Sequence, residues 1–362
     1  MKGKIRIGLL GYGKVANLYA EAIQALPNGE LVAAAGRNRE RRNEFAAKWK
    51  IASRDTSAEM AKLDKADMVI VATPHPQHRD GALEALDAGC HVLVEKPMAI
   101  SVAQCDEMIA AAKNAGKILS VVSQRRWFPA CERIKRAIND GKLGKPCLLQ
   151  LTILSWRDEA YYNSDPWRGK WARDAEGGAA EGGGVLINQA AHQIDLMNWF
   201  MGPIEEIQGY WGNFNHPYIE VEDSAVAVLK FRNGGLGSVL ASNCQKPGIY
   251  AKVHVHGSSG ASAGVQTDGG AMFIAGMSTI TEPPLNDLWT IPGEEKLLEK
   301  FRAEDEAFFR TINATAYFFT RQLEDLCRAL LEGKAPPTSG EDGRETVKFI
   351  ETMYKLGKAP GY

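Results

Sequence analysis

Through the first third of the chain, short apolar runs alternate with stripes of helical period. Ile5 to Leu10 is an apolar strand interrupted only by Arg6 and Gly8, and Asn17 to Leu26 follows with helical periodicity. Glu30 to Ala35 and Asp67 to Thr73 are further buried strands. A helix from Arg79 to Ala88, stopped by Gly89, leads into a four-residue strand, His91 to Val94. Ser101 caps the next helix, Gly116 ends it, and Ile118 to Val122 closes the series. Strands and helices in this alternation predict an α/β fold, a doubly wound parallel sheet over residues 1–123.

After residue 124 the pattern changes. Pro129 to Asp140 reads as a helix ended by Gly141, and Gly144-Lys-Pro146 leads into a strand from Cys147 to Trp156. A helix from Val185 to Met201 follows. Beyond Ile204, period-two strands dominate: Tyr210 to Asn215, Ser224 to Phe231, Gly235 to Ser242 and Tyr250 to His256, with Asn233-Gly234-Gly235 as a hairpin turn. Phe318 to Leu331 and Gly343 to Leu356 are amphipathic helices. With 362 residues in all, the pattern predicts a second domain over 124–362.

Composition narrows the class. The chain is 45% hydrophobic and 24% charged with a formal net charge of −1, and no basic block suggests a nucleic-acid or membrane surface. No apolar run approaches the ~20 residues of a membrane span, and the N-terminus enters a strand with no signal-peptide pattern. Six cysteines are scattered with no C-x-x-C pair, as expected for reduced thiols in a cytoplasmic protein.

The candidate chemistry gathers at strand ends. Gly11-Tyr-Gly13-Lys14-Val15-Ala16 sits between the first strand and helix as G-x-G-x-x-A. Gly11 permits the tight turn, Gly13 lets the backbone approach a pyrophosphate, and Ala16 lets helix and sheet pack closely. The second strand ends without the carboxylate that would bind a ribose 2′-hydroxyl. It carries Gly36-Arg37 instead, which suits a 2′-phosphate: NADP is preferred, with NAD and an Arg37 stacked on adenine as the alternative. Thr73 and Pro74 sit at the carboxyl edge of the sheet, level with Glu95 and Lys96, and His78 opens the following helix as a cap or packing residue. Glu95-Lys96-Pro97 delivers two opposite charges to the sheet rim, and the proline permits a cis peptide that would aim the lysine. Gln124-Arg125 leaves the same edge.

Further on, Trp156-Arg157, Tyr161-Tyr162 and Trp167-Arg168 bring aromatics and guanidiniums into one loop, suited to stacking on a sugar ring or nicotinamide or to pinning the loop on the core. The Gly/Ala-rich segment 175–184 has no evident role. Asn188, His192 and Asp195 fall at i, i+4 and i+7 on one helix face, where Asp195 or Asn188 can orient an imidazole suited to proton transfer. His254 and His256 alternate on one strand face with no third ligand nearby, so no metal is expected.

With these pieces placed, the chain resembles the Gfo/Idh/MocA family of sugar and cyclitol oxidoreductases. The resemblance covers essentially the whole chain, through Gly11-x-Gly13-x-x-Ala16, Ala72-Thr-Pro74-x-x-x-His78, Ala88-Gly-x-His-Val-Leu-Val-Glu-Lys-Pro97 and Asn188-x-x-x-His192. It implies an N-terminal Rossmann domain and a C-terminal α/β domain on a large, mostly antiparallel sheet, a common face for homodimers or homotetramers. The last helix, 343–356, is expected to pack near the cofactor domain. The resemblance also implies an NAD(P)-dependent dehydrogenase or reductase of a sugar or cyclitol, with Lys96 and His192 flanking the reacting carbon. Glu95 would bind the nicotinamide ribose, His78 and Arg125 would stand with the cofactor-side residues, and Trp167 and Arg168 would contact substrate. Many members carry Asp where this chain has Asn188; an amide cannot hold an imidazolium by charge, which shifts proton transfer toward Lys96. Two alternatives share the fold, a glycosidase that cycles bound NAD and a nucleotide-binding regulator without turnover.

Overall fold

The computed structural model describes residues 3–164, 168–173, 179–181, 184–269 and 282–357. The chain divides into two compact units. One comprises Met1–Gln124 and Thr315–Val347, the other Arg125–Ala314 and Lys348–Tyr362.

The first unit is built on β1 (Ile5–Leu10), β2 (Gly29–Ala35), β3 (Ala52–Arg54), β4 (Met68–Val71), β5 (His91–Val94) and β6 (Leu119–Val121). They form one parallel sheet in the order β3-β2-β1-β4-β5-β6, the doubly wound arrangement. Successive residues of a strand feed opposite faces, so the sheet has two cores. Val69, Val71, Val92 and Val94 enter one; Met68, Ile70 and Leu93 enter the other with Ile7 and Leu9. The second core is closed by α1 (Lys14–Gln24), through Ala16, Tyr19, Ala20 and Ile23.

That core also takes Phe319, Leu323, Leu326 and Cys327 from the helix Ala314–Glu332. The sequence reading placed only residues 343–356 near this unit. The earlier helix joins because its apolar stripe, at i, i+4, i+7 and i+8, matches the open side of the sheet. The returning segment also covers the edge strand β6. Gln322 Nε2 donates to the Val121 carbonyl (2.8 Å), Gln322 Oε1 accepts from the Ser123 N–H (3.0 Å), and Ser120 Oγ donates to the Thr338 carbonyl (2.7 Å). Polar groups that would otherwise template further pairing are thereby used.

The second unit carries β7 (Pro146–Leu154), β10 (Ile204–Gly212), β11 (Ser224–Phe231), β12 (Leu236–Ser242), β13 (Tyr250–Gly257), β14 (Ser262–Gly269) and β15 (Leu285–Trp289), with β8 (Trp171–Arg173) and β9 (Ala179–Glu181) as a separate pair. The seven-stranded order is β10-β11-β12-β7-β13-β14-β15, antiparallel except for β12 beside β7. Leu149, Leu151, Ile153, Val253 and Val255 are buried on one face, where α8 (Ala191–Met201) packs against β7 and β13. The other face leaves Leu148, Tyr210, Val226, Val228, Leu236 and Leu240 exposed.

Several short elements were not anticipated. The edge strand β3 has three half-buried residues, and β14 reads Ser-Ala-Gly-Val-Gln-Thr-Asp-Gly, with little β propensity. The strand expected at 210–215 begins six residues earlier and ends at Gly212, because Glu205, Glu206 and Gln208 point to solvent and mask the alternation.

Leu326→Ala should lower stability by about 2–5 kcal/mol in urea unfolding, the usual range for a buried leucine. An unchanged midpoint would show that the helix Ala314–Glu332 does not belong to the core of the first unit.

Candidate active site

The glycine turn is shaped by close approach. Gly11 has φ +110°, and a Cβ there would meet the Ala72 carbonyl oxygen at 2.6 Å. At Gly13, which caps α1, a Cβ would meet nothing within 4 Å, and no side chain caps the helix. The first N–H groups of α1 are therefore left to a ligand or water. Lys14 is exposed, Val15 half-buried and Ala16 buried.

Two buried side chains tie the neighbouring turns together. Tyr19, one turn into α1, donates its hydroxyl to Glu95 Oε1 (2.7 Å), while Glu95 Oε2 accepts the Lys96 N–H (3.0 Å). Burial raises the Glu95 pKa, opposed by the Lys96 charge and by these hydrogen bonds. The Lys96–Pro97 peptide is cis, and Lys96 is half-buried. His78 lies in α4 (His78–Asp87), fully buried, with Nδ1 2.8 Å from the Pro97 carbonyl and Nε2 2.8 Å from the Thr73 carbonyl. Burial lowers its pKa below the usual histidine value, and the Lys96 charge adds to that against the backbone hydrogen bonds. His78 thus bridges the Thr73 and Pro97 turns with its whole ring enclosed, as a packing residue would.

At the end of β2, Gly36 has φ +154° and lies against the Tyr12 ring. Arg42 is buried, donates to the Gly36 carbonyl (2.8 Å) and Ser53 Oγ (2.9 Å), and pairs with Asp55. Arg41 lies over the Tyr12 ring at 5.8 Å, and Arg37 is exposed.

In the second unit, the helix expected over 185–201 opens with a π turn, Leu186–Ala190, before α8 begins. Such turns recur at functional sites. Asn188 and His192 are half-buried. Asp195 is buried, and both its oxygens accept from the Arg126 guanidinium (2.6 and 2.9 Å), a partner the helix-face pattern did not reveal. Arg125 pairs with Asp268, whose Oδ2 also accepts from Gln193 (2.8 Å). Arg168 lies over the Tyr161 ring at 4.6 Å and donates to its hydroxyl (2.6 Å). Arg157 covers the same ring at 5.0 Å. Gln189, beside Asn188, donates to the Tyr161 hydroxyl (3.0 Å), so the aromatic loop and the helix share a network that sequence reasoning missed. Trp167 and most of the segment 175–184 lie outside the described residues.

A second missed group is His216, fully buried, with Nδ1 2.8 Å from Asp223 Oδ2 and Nε2 2.8 Å from the Arg157 carbonyl. With Cys244 these form the one possible metal-ligand cluster among the described residues. Its short histidine–carboxylate distance and the two backbone N–H groups on Asp223, from Phe214 and Asn215, describe a hydrogen-bonded dyad. His254 is half-buried and sits 3.0 Å from Asp287.

A dinucleotide fits the first unit on three counts: a turn with no room for a Cβ at Gly11, an uncapped α1, and a buried Thr73 Oγ1 with no hydrogen-bond partner among the described residues. The unit is thus a nucleotide-binding Rossmann domain. The family model described as an oxidoreductase family with NAD-binding Rossmann fold matches residues 5–123, and the Gfo/Idh/MocA C-terminal domain matches 131–263. The chain belongs to the Gfo/Idh/MocA oxidoreductases.

Among curated relatives, a 1-carboxy-3-chloro-3,4-dihydroxycyclohexa-1,5-diene dehydrogenase of Comamonas testosteroni is 31% identical over 66% of this chain; the match spans 58% of that enzyme. A myo-inositol 2-dehydrogenase of Thermotoga maritima is 25% identical over 94% of this chain and 92% of its own. Among solved structures, the WlbA dehydrogenase of Bordetella pertussis, in complex with NADH and UDP-GlcNAcA, superposes with a TM-score of 0.83 at 26% identity, covering 98% of this chain and 96% of that one. No helix among the described residues is long and apolar enough to cross a membrane.

Burial works against a charged His216, but hydrogen bonds to Asp223, Cys244 and the Arg157 carbonyl prevail and push its pKa up to about 9. A raised histidine pKa adds stability that is complete below about 6.5 and lost as pH rises through about 9. The thermal midpoint should therefore fall between pH 7 and 10 by a few degrees more in the wild type than in His216→Gln. Parallel slopes in differential scanning fluorimetry would contradict the ion pair.

Proposed function

We propose that the chain is an NAD(P)-dependent oxidoreductase acting at a secondary alcohol or carbonyl carbon of a sugar, sugar derivative or cyclitol. The observation that carries this is the Glu95-Lys96-Pro97 turn, whose carboxylate is held by Tyr19 and whose proline carbonyl faces His78. That arrangement fixes the backbone that carries Lys96 at the carboxyl edge of a nucleotide-binding sheet. The inositol and dihydrodiol dehydrogenases among the relatives support the substrate class.

The α1 N-terminus and the Gly11–Ala16 turn hold the pyrophosphate, Thr73 and Pro74 line the nicotinamide side, and Glu95 binds the nicotinamide ribose. Bound there, the nicotinamide supplies or accepts the hydride. Lys96 polarises the substrate oxygen, and His192 exchanges its proton, oriented by Asn188. Arg168 and the Arg126-paired Asp195 belong to the substrate side, and Arg125 completes the cofactor contacts. NADP is the preferred nucleotide, since Arg37 is exposed where β2 ends without a carboxylate while Arg42 is already committed to structure.

The exposed sheet face supports a homodimer or homotetramer. Val226 stands between Tyr210 and Leu240, and Leu236 pairs with Leu148, so exposed apolar side chains run across four adjacent strands. A patch of this kind marks an interface. None of the six cysteines forms a disulfide, and we place the enzyme in the cytoplasm.

Absorbance at 340 nm across a panel of sugars, sugar acids and cyclitols should show turnover, faster with NADP than with NAD. Lys96→Ala should lower kcat by ~10²–10⁴, the usual contribution of a positioned acid–base group. Full activity in that variant would refute the role of Lys96, and tight nucleotide binding with no net reduction would favour internal redox cycling or a regulator. Val226→Asp with Val228→Asp should sediment as a monomer in analytical ultracentrifugation, and an unchanged assembly would move the interface elsewhere.

A further inference from the structure

The helix that carries Asn188 and His192 starts without a cap of its own. Residues 182–184 are all glycine, the π turn has no side-chain cap, and neither does α8 behind it. Its first N–H groups need acceptors from elsewhere.

They come from Glu222, two residues before β11. Its main-chain carbonyl accepts the Val185 N–H (3.2 Å), and its side-chain Oε1 accepts the Leu186 N–H (2.8 Å). Tyr354, in the helix Gly340–Leu356, donates its hydroxyl to the same oxygen (3.0 Å). Glu222 is completely buried, and its Oε2 has no hydrogen-bond partner among the described residues. That oxygen lies against Gly184, where any Cβ would overlap the carboxylate. A buried carboxyl group with one oxygen unpartnered among the described residues is an expensive feature, and packing alone does not account for it.

We propose that Glu222 is a positioning residue for the reaction: it caps the helix of Asn188 and His192 from another element and so fixes where those two side chains stand. Gly184 is part of the same device, which gives one position of the glycine-rich segment a physical reason. The placement of an acid at a helix N-terminus matches the sign of the helix dipole. Burial, and then the neighbouring Asp223 charge, push the Glu222 pKa up to about 7, against the hydrogen bonds from Leu186 and Tyr354. The cap therefore rests on an oxygen acceptor that both protonation states retain, and glutamine preserves it.

The inference rests on the catalytic reading of His192, so the test has an arm that does not. Hydrogen exchange of peptides spanning 185–193 should quicken at least tenfold in Glu222→Ala and Gly184→Ala and stay at the wild-type rate in Glu222→Gln. In the same proteins kcat should fall ~10–100-fold for the first two, with nucleotide Kd within twofold, and Glu222→Gln should recover to within about threefold of wild type. Unchanged exchange in Glu222→Ala would overturn the cap, as would exchange that quickens equally across the whole second unit. A Glu222→Gln protein as impaired as Glu222→Ala would overturn it as well. Quickened exchange with unchanged kcat would overturn the positioning role, and a His192→Gln control with full activity would then assign that failure to the catalytic reading of His192.

Discussion

Two adjacent parallel strands, β4 and β5, end at the same level and send their chains out over the sheet edge. The constraint on which the first unit depends is that these two exits are held together by one enclosed imidazole. His78 spans from the Thr73 carbonyl to the Pro97 carbonyl, and a neutral ring with one N–H can donate to only one of them at a time. Tyr19 adds the third corner by joining the helix after the glycine turn to Glu95. Turns that lie far apart in sequence thus become one rigid rim, in which Lys96 follows a carboxylate whose two oxygens are already engaged. Precision of this kind is what a hydride-transfer site requires of its protein, because the nicotinamide brings the reactivity and the chain supplies orientation.

The second unit solves a different problem. Its sheet buries one face under α8, and the helical segment that leads into α8 has no side-chain cap of its own. Buried polar pairs do the fixing: Arg126 with Asp195, Arg125 with Asp268, His216 with Asp223, and Glu222 on the helix start. Each removes a charge or a donor from solvent and is tolerable only because it is paired or hydrogen-bonded. The opposite face keeps Leu148, Tyr210, Val226, Val228, Leu236 and Leu240 exposed, which is the ground for the assembly proposed above.

The Rossmann half was legible because each of its signals is local. Gly11 and Gly13 between a strand and a helix, Ser101 and Gly116 around a later helix, and three apolar residues ahead of Glu95 all state their structure within a few positions. What stayed hidden was carried by contacts distant in sequence. Arg126 reaches Asp195 from another segment, a pairing that helical spacing cannot reveal because it shows only its own helix. Helix Ala314–Glu332 was visible as amphipathic, yet its pattern could not say which sheet it would cover. Glu222-Asp223, an acidic pair just ahead of an apolar strand, was the one overlooked signal that the sequence did offer.

Equilibrium titration with NADPH and NADH tests nicotinamide-dinucleotide binding by the first unit before any substrate is known. Quenching of tryptophan fluorescence should saturate, with the tighter curve for NADPH, and Gly11→Ala should abolish saturation because its Cβ has nowhere to go beside the Ala72 carbonyl. A wild-type protein that binds neither nucleotide at millimolar concentration would contradict the account at its root.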